Sequence, residues 1–239
     1  MGHDLEAPCT GDAPDWDVLY RARGLEVVEG RPVLTGDIFS QTTVSAEAGK
    51  TPQRIVVVLQ HPCALRSNGV DLVERLLVAE VRYHKRLPPE EWRGFSKIMP
   101  LPDLYPELST RNRDQAVFFE KVHVVEPDAL GRRDACLSPL GVNLILQRWV
   151  HHNSRVVVPS FDFDEVTHGP YEECDVTEDW AETRFLEGVP GRASWEECHA
   201  WLRQSDTVGG ISRQEMLADP QRRSSVRLSA RKHLRIPGN

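Results

Sequence analysis

With 239 residues, 40% of them apolar and 27% charged, the chain is long enough to bury a full hydrophobic core without help from a disulfide or a metal. No run approaches the roughly 18 to 20 consecutive apolar residues of a membrane span, and the acidic start, Met1 to Pro14, lacks the basic and apolar blocks of a signal peptide. The net charge of −7 speaks against a dedicated nucleic-acid binder, and five scattered cysteines (Cys9, Cys63, Cys136, Cys174, Cys198) fit reduced thiols in a cytoplasm better than a disulfide framework.

Residues 1–14 read as a disordered leader. Trp16 to Arg23 has the make-up of two helical turns with Asp15 as N-cap, which closes a leader region over 1–24. The pattern then changes to short β-branched runs punctuated by Gly, Pro, Asn and Ser: Leu25–Glu29, Thr35–Ser40, Arg54–Gln60, Arg75–Arg82 and Ala116–Val125. Ile55 to Leu59 is apolar at every position, which predicts a central strand buried on both faces. So many short strands within about 100 residues predict a small barrel or a strongly curved sheet. Arg132, Arg133 and Asp134 read as a polar turn. Ser138 and Pro139 suit the N-cap and first position of a helix, and Leu140, Leu144, Ile145, Trp149 and Val150 give it an apolar stripe to about His152. That helix closes a core domain over 25–160.

The remainder, 161–239, is an extension of opposite charges. Phe161 to Pro190 holds ten carboxylates against the single Arg184, whereas Gln221 to Asn239 holds Arg222, Arg223, Arg227, Arg231, Lys232 and Arg235 and no carboxylate. Two solvated segments are the plain reading; a tail for nucleic acid and an acidic cover over a basic groove are the alternatives. Capping boxes at Ser194–Glu197 and Ser212–Glu215 predict two short helices, the first with Trp195, Cys198, Trp201 and Leu202 on one side.

Candidate functional residues are sparse. Gln60-His61-Pro62-Cys63 follows the most apolar strand, where loops often carry function. His61 and Cys63 have the chemistry of a base and nucleophile, or of metal ligands. The other Cys and His residues keep no ligand spacing, so no metal or cofactor is expected, and Cys63 reads first as a buried packing thiol. Arg54 opens the central strand as a snorkelling cation or a grip on a phosphate. Lys121 and His123 share a strand face, first a solvated one, otherwise a pair that binds a phosphate or acts in proton transfer. Trp92, Arg93 and Lys97 combine an aromatic with cations, as surfaces that hold unpaired bases do. No Walker loop, nucleophile elbow, zinc-protease helix or dinucleotide fingerprint is present.

The order Gly36-Asp37-Ile38-Phe39, then Arg54-Ile-Val-Val-Val-Leu59, then a third strand, then Val122-His-Val-Val-Glu-Pro-Asp-Ala-Leu130 and a Ser138-initiated helix resembles the MazF/PemK/Kid toxin family over roughly residues 34–153. Gln60 to Leu65, Leu146 to Val150 and Arg155 to Pro159 are also similar to small bacterial proteins with an apolar strand followed by a Gln/Ser-x-x-Cys element. The toxin resemblance implies an SH3-like barrel, a homodimer and metal-independent cleavage of single-stranded RNA, with Arg54 as the matching family arginine. Two departures stand against activity. Gln53-Arg54-Ile55 lacks the family's Pro after the Arg, and Leu76 to Glu80 lacks the Thr or Ser expected on the third strand.

The expected fold is therefore mainly β with α additions: a small SH3-like, PemK-like barrel, a packed helix and a helical C-terminal extension. The expected function is a non-catalytic interaction module in a bacterial defence, toxin–antitoxin or mobile-element system, with a protein partner or a homodimer. The alternative is an endoribonuclease with Arg54 and His61 as catalytic residues. In that case Gln60, Cys63, Trp92, Arg93, Lys97, Lys121 and His123 contact single-stranded RNA.

Overall fold

A computed structural model of the chain describes residues 4–10, 13–45, 51–67, 70–110, 112–205, 207 and 210–235. Residues 1–3 and 11–12 of the expected leader and 236–239 of the basic tail lie outside the described residues. The chain divides into two compact units, the first Met1–Val27, Thr35–Leu65 and Val73–Asp164, the second Val28–Leu34, Arg66–Leu72 and Glu165–Asn239.

In the first unit β1 (Cys9–Thr10) and β2 (Ala13–Pro14) make a small antiparallel pair. The main sheet holds β3 (Tyr20–Arg23), β4 (Asp37–Thr43), β5 (Gln53–Val58), β6 (Leu76–Lys85), β7 (Ile98–Leu101), β8 (Arg113–Val125) and β9 (Arg132–Leu137). All pairings are antiparallel, in the order β3-β9-β4-β5-β6-β8-β7. This order is open: among the described residues no ladder joins β3 to β7 to close a barrel. As the unbroken apolar run demands, β5 is central, and Val56, Val57 and Val58 have no exposed surface. The helix α1 (Pro139–Ser154) starts where the sequence places it, with Ser138 Oγ accepting from the Gly141 N–H at 3.1 Å. Its Val142, Leu144, Ile145 and Leu146 share one core with Val57, Ala79, Val81 and Val117 of the sheet.

Several expectations fail for tertiary reasons. Trp16 to Arg23 makes only a 3₁₀ turn, Asp17–Leu19, before Tyr20–Arg23 pairs with β9, since strand partners override weak helical propensity. Leu25–Glu29 is not a strand; Gly24–Glu26 forms a second 3₁₀ turn. Arg132, Arg133 and Asp134 are not a turn but open β9, between β3 and β4. Their charges are matched within the sheet: Arg133 lies 3.2 Å from Asp37, and Asp134 accepts from Tyr105 and Arg132, both at 2.7 Å. The ladder between β6 and β8 carries a bulge. Ala79 faces Val122 and the adjacent Glu80 faces Phe118, so Phe119, Glu120 and Lys121 intervene on β8 without partners in that register.

The second unit is helical, with α2 (Asp164–Leu186), α3 (Gly191–Leu202), α4 (Arg213–Ala218) and α5 (Arg223–Arg235). The Ser212 capping box forms as expected, whereas α3 begins before Ser194 with Pro190 at its N-cap. Val176, Trp180, Cys198, Trp201, Leu202, Leu217, Val226, Ala230 and Leu234 form its core. The acidic and basic segments are not independently solvated. Glu172 and Asp175 on α2 bind Arg227 at 2.7 and 3.2 Å, Glu172 also faces Arg223 at 3.6 Å, and Asp179 faces Arg231 at 4.0 Å.

Candidate functional site

A carboxylate inside an apolar strand is costly unless cations and hydrogen bonds surround it. Glu80 is that carboxylate. It sits mid-way along β6 with a side chain only 4% exposed, and three strands bring cations to it. The β5–β6 register sets Val56 opposite Glu80, so Arg54, two residues earlier, lies on the same face, its Nε 3.8 Å from Glu80 Oε1. Arg82, two residues along β6, turns Nε and Nη2 onto Oε2. His123 on β8 completes the group, its Nε2 2.8 Å from Oε1. The β8 bulge makes this possible, because it sets His123 opposite Val78 and on the face of Glu80.

Charge is not balanced here. One carboxylate meets two guanidiniums and an imidazole, which leaves a surplus of one positive charge with His123 neutral and two with it protonated. Burial pushes the Glu80 carboxyl up, but the hydrogen bonds from Arg82 and His123 and their charges prevail and hold it below the usual carboxylate range. The cations face outward, with side chains 41% exposed for Arg54, 45% for Arg82 and 20% for His123. Such a face offers charge-assisted donors to an anion, and a carboxylate–imidazole pair oriented for proton transfer. Lys121, also exposed, lies in the adjoining bulge.

The other sequence candidates separate. Arg54 lies at the start of β5 and His61 three residues beyond its end, roughly 20 Å apart at about 3.3 Å per extended residue, so they do not form one site. His61 caps the turn Pro62–Ala64, its Nδ1 accepting from the Cys63 N–H at 3.3 Å, and burial lowers its pKa. Gln60 braces the same loop, accepting from the Leu77 N–H at 3.3 Å and donating to the Ala64 carbonyl at 3.4 Å. Cys63 is exposed, contrary to the buried thiol expected. Trp92 has no exposed surface and stacks on Trp16 with ring centroids 5.1 Å apart, so the core occupies the ring expected to hold bases. Arg93 is exposed, and Lys97 pairs with Glu120 at 2.9 Å.

Sequence reasoning missed Glu80 and Arg82. Their signal was present: a lone carboxylate within Leu76-Leu-Val-Ala-Glu-Val-Arg82, with the cation two residues on and therefore on the same face. Among the described residues no group of three or more His, Cys, Asp or Glu is arranged to hold a metal ion, and no helix is long and apolar enough to cross a membrane. No family model matches the chain, and no curated protein matches it significantly.

Proposed function

We propose that the protein is an RNA-interaction module whose β5–β6–β8 face engages the backbone phosphates of a single strand. The observation that carries this reading is the unbalanced cluster: Arg82 is hydrogen-bonded to Glu80, Arg54 lies 3.8 Å from it and donates to the Gln53 carbonyl at 3.0 Å, and both are half-exposed, so their remaining N–H groups are held in place for a phosphate at little conformational cost. The setting is the one implied by the toxin resemblance, a cytoplasmic bacterial defence or toxin–antitoxin system, with a toxin-like SH3-like core as the finer architecture. The open antiparallel order and the packed α1 are compatible with such a core.

A second reading is favoured by the Glu80–His123 contact at 2.8 Å. In it His123, oriented by Glu80, takes the proton of a ribose 2′-hydroxyl. The freed oxygen attacks the neighbouring phosphorus, the bond from phosphorus to the 5′-oxygen breaks, and that oxygen takes its proton from water. Arg54 and Arg82 offset the charge of the pentacovalent phosphorus. Both readings are tested by incubating the protein with a long single-stranded RNA in EDTA, comparing wild type with Arg54→Ala and His123→Ala. Binding that Arg54→Ala weakens, without cleavage, establishes the module. Cleavage lost in both variants establishes the nuclease. Binding unaffected by Arg54→Ala removes the face from RNA recognition.

A further inference from the structure

Adjacent aromatics on a strand point to opposite faces, and Phe118-Phe119 shows what this does. Phe119 is buried in the core, 2% exposed, while Phe118, partly exposed and packed against the edge of that core, lies directly across from Glu80. Phe118 is not alone. His84, two residues beyond Arg82 on β6, meets it edge-on at 6.1 Å between ring centroids, and Phe95 meets His84 at 6.0 Å. All three are partly exposed, and Lys85 Nζ lies 6.0 Å from the Phe95 ring. Glu80, around which the cations gather, therefore lies one strand spacing, about 5 Å, from Phe118, the β8 member of this aromatic group.

We infer that His84, Phe95 and Phe118 form a nucleobase subsite, where the base next to the phosphate held by Arg54 and Arg82 stacks. Every base has a π-face, so such a platform binds single strands with little sequence preference, and duplexes, whose bases are already stacked, poorly. The assignment supplies the stacking surface that buried Trp92 does not provide, and it rests on the phosphate reading above.

The experiment measures fluorescence anisotropy of two labelled oligonucleotides of equal length in EDTA, one with bases and one an abasic sugar–phosphate strand. Wild type is expected to bind the base-containing strand roughly tenfold more tightly, the scale of one good stacking contact. Phe118→Leu, which keeps an apolar side chain, is expected to remove most of that preference and leave abasic binding unchanged; Phe118→Trp, which keeps a stackable ring, is expected to retain it. Arg54→Ala is expected to weaken both strands. A preference that survives Phe118→Leu overturns the base subsite and leaves the phosphate reading standing. Equal binding of both strands by wild type does the same. Failure of wild type to bind either strand overturns both readings.

Discussion

On the sheet, among the described residues, Glu80 alone answers Arg54, Arg82 and His123, whereas in the helical unit Glu172, Asp175 and Asp179 answer Arg223, Arg227 and Arg231 nearly one for one. Beneath the helical pairs lies an apolar seam, with His233 stacked on Trp180 at 5.3 Å and Val226, Ala230 and Leu234 buried. The matched set is spent within the fold and fixes how two helices align. Among the described residues the unmatched set keeps a positive remainder on a partly exposed face. Overall charge hides this distinction: a net of −7 coexists with a local cationic face.

If the helical pairs only align helices that Trp180 and its neighbours hold, apolar truncation must cost far more than charge removal. Trp180→Ala is expected to lower stability by about 3 to 5 kcal/mol in urea unfolding. A small loss would show that the ion pairs carry the unit instead. Glu80→Gln is expected to cost about 2 kcal/mol at neutral pH, because Arg54 and Arg82 lose their shared counter-charge while both can still reach water. The loss must depend on pH in one direction. The folded-state pKa of Glu80 is depressed, so its stabilisation is present above the unfolded carboxylate value and is lost as pH falls through the folded one. The melting-temperature gap between wild type and Glu80→Gln should therefore close on acidification, and a constant gap would contradict the ion-pair account.

Arg227→Gln is expected to cost about 1 kcal/mol, since its pairs with Glu172 and Asp175 are partly solvated. Its effect should shrink further in high salt, and a loss as large as that of Trp180→Ala would erase the contrast between seam and pairs. The smallest perturbation is chemical. Cys63, exposed in the first unit, should alkylate well before Cys198 in the second, whose thiol burial pushes up to about 12. Peptide mass spectrometry after brief labelling reads the order, and equal rates would mean that the helical core opens readily.

How much of this was legible depended on whether a residue's role was local. The central strand and α1 follow from an unbroken apolar run and from Ser138-Pro139, both readable along the chain. Strand β9 was hidden because its first three residues are charged, and the Asp37 carboxylate that pairs with Arg133 and the Tyr105 hydroxyl that donates to Asp134 lie far away in sequence. Helix α2 was hidden by Gly169-Pro170, a turn signal that the folded chain carries inside a 23-residue helix. Of the site, Arg54, Lys121 and His123 were visible as residues. Their meeting at Glu80 was not, because it depends on a β6–β8 register that the sequence pattern does not reveal.

That register has a consequence for how the protein can change over evolutionary time. The three extra residues of the β8 bulge set which of its later side chains face Glu80, and side chains on a strand alternate with a period of two. Loss of a single codon at Glu120 would shift everything after it by one position, carrying His123 to the far face and presenting Val124 to the cations in its place. Substitutions at the exposed Glu120 or Lys121 leave that alternation untouched. The lineage of such a chain should thus tolerate varied residues at these positions while holding their number fixed.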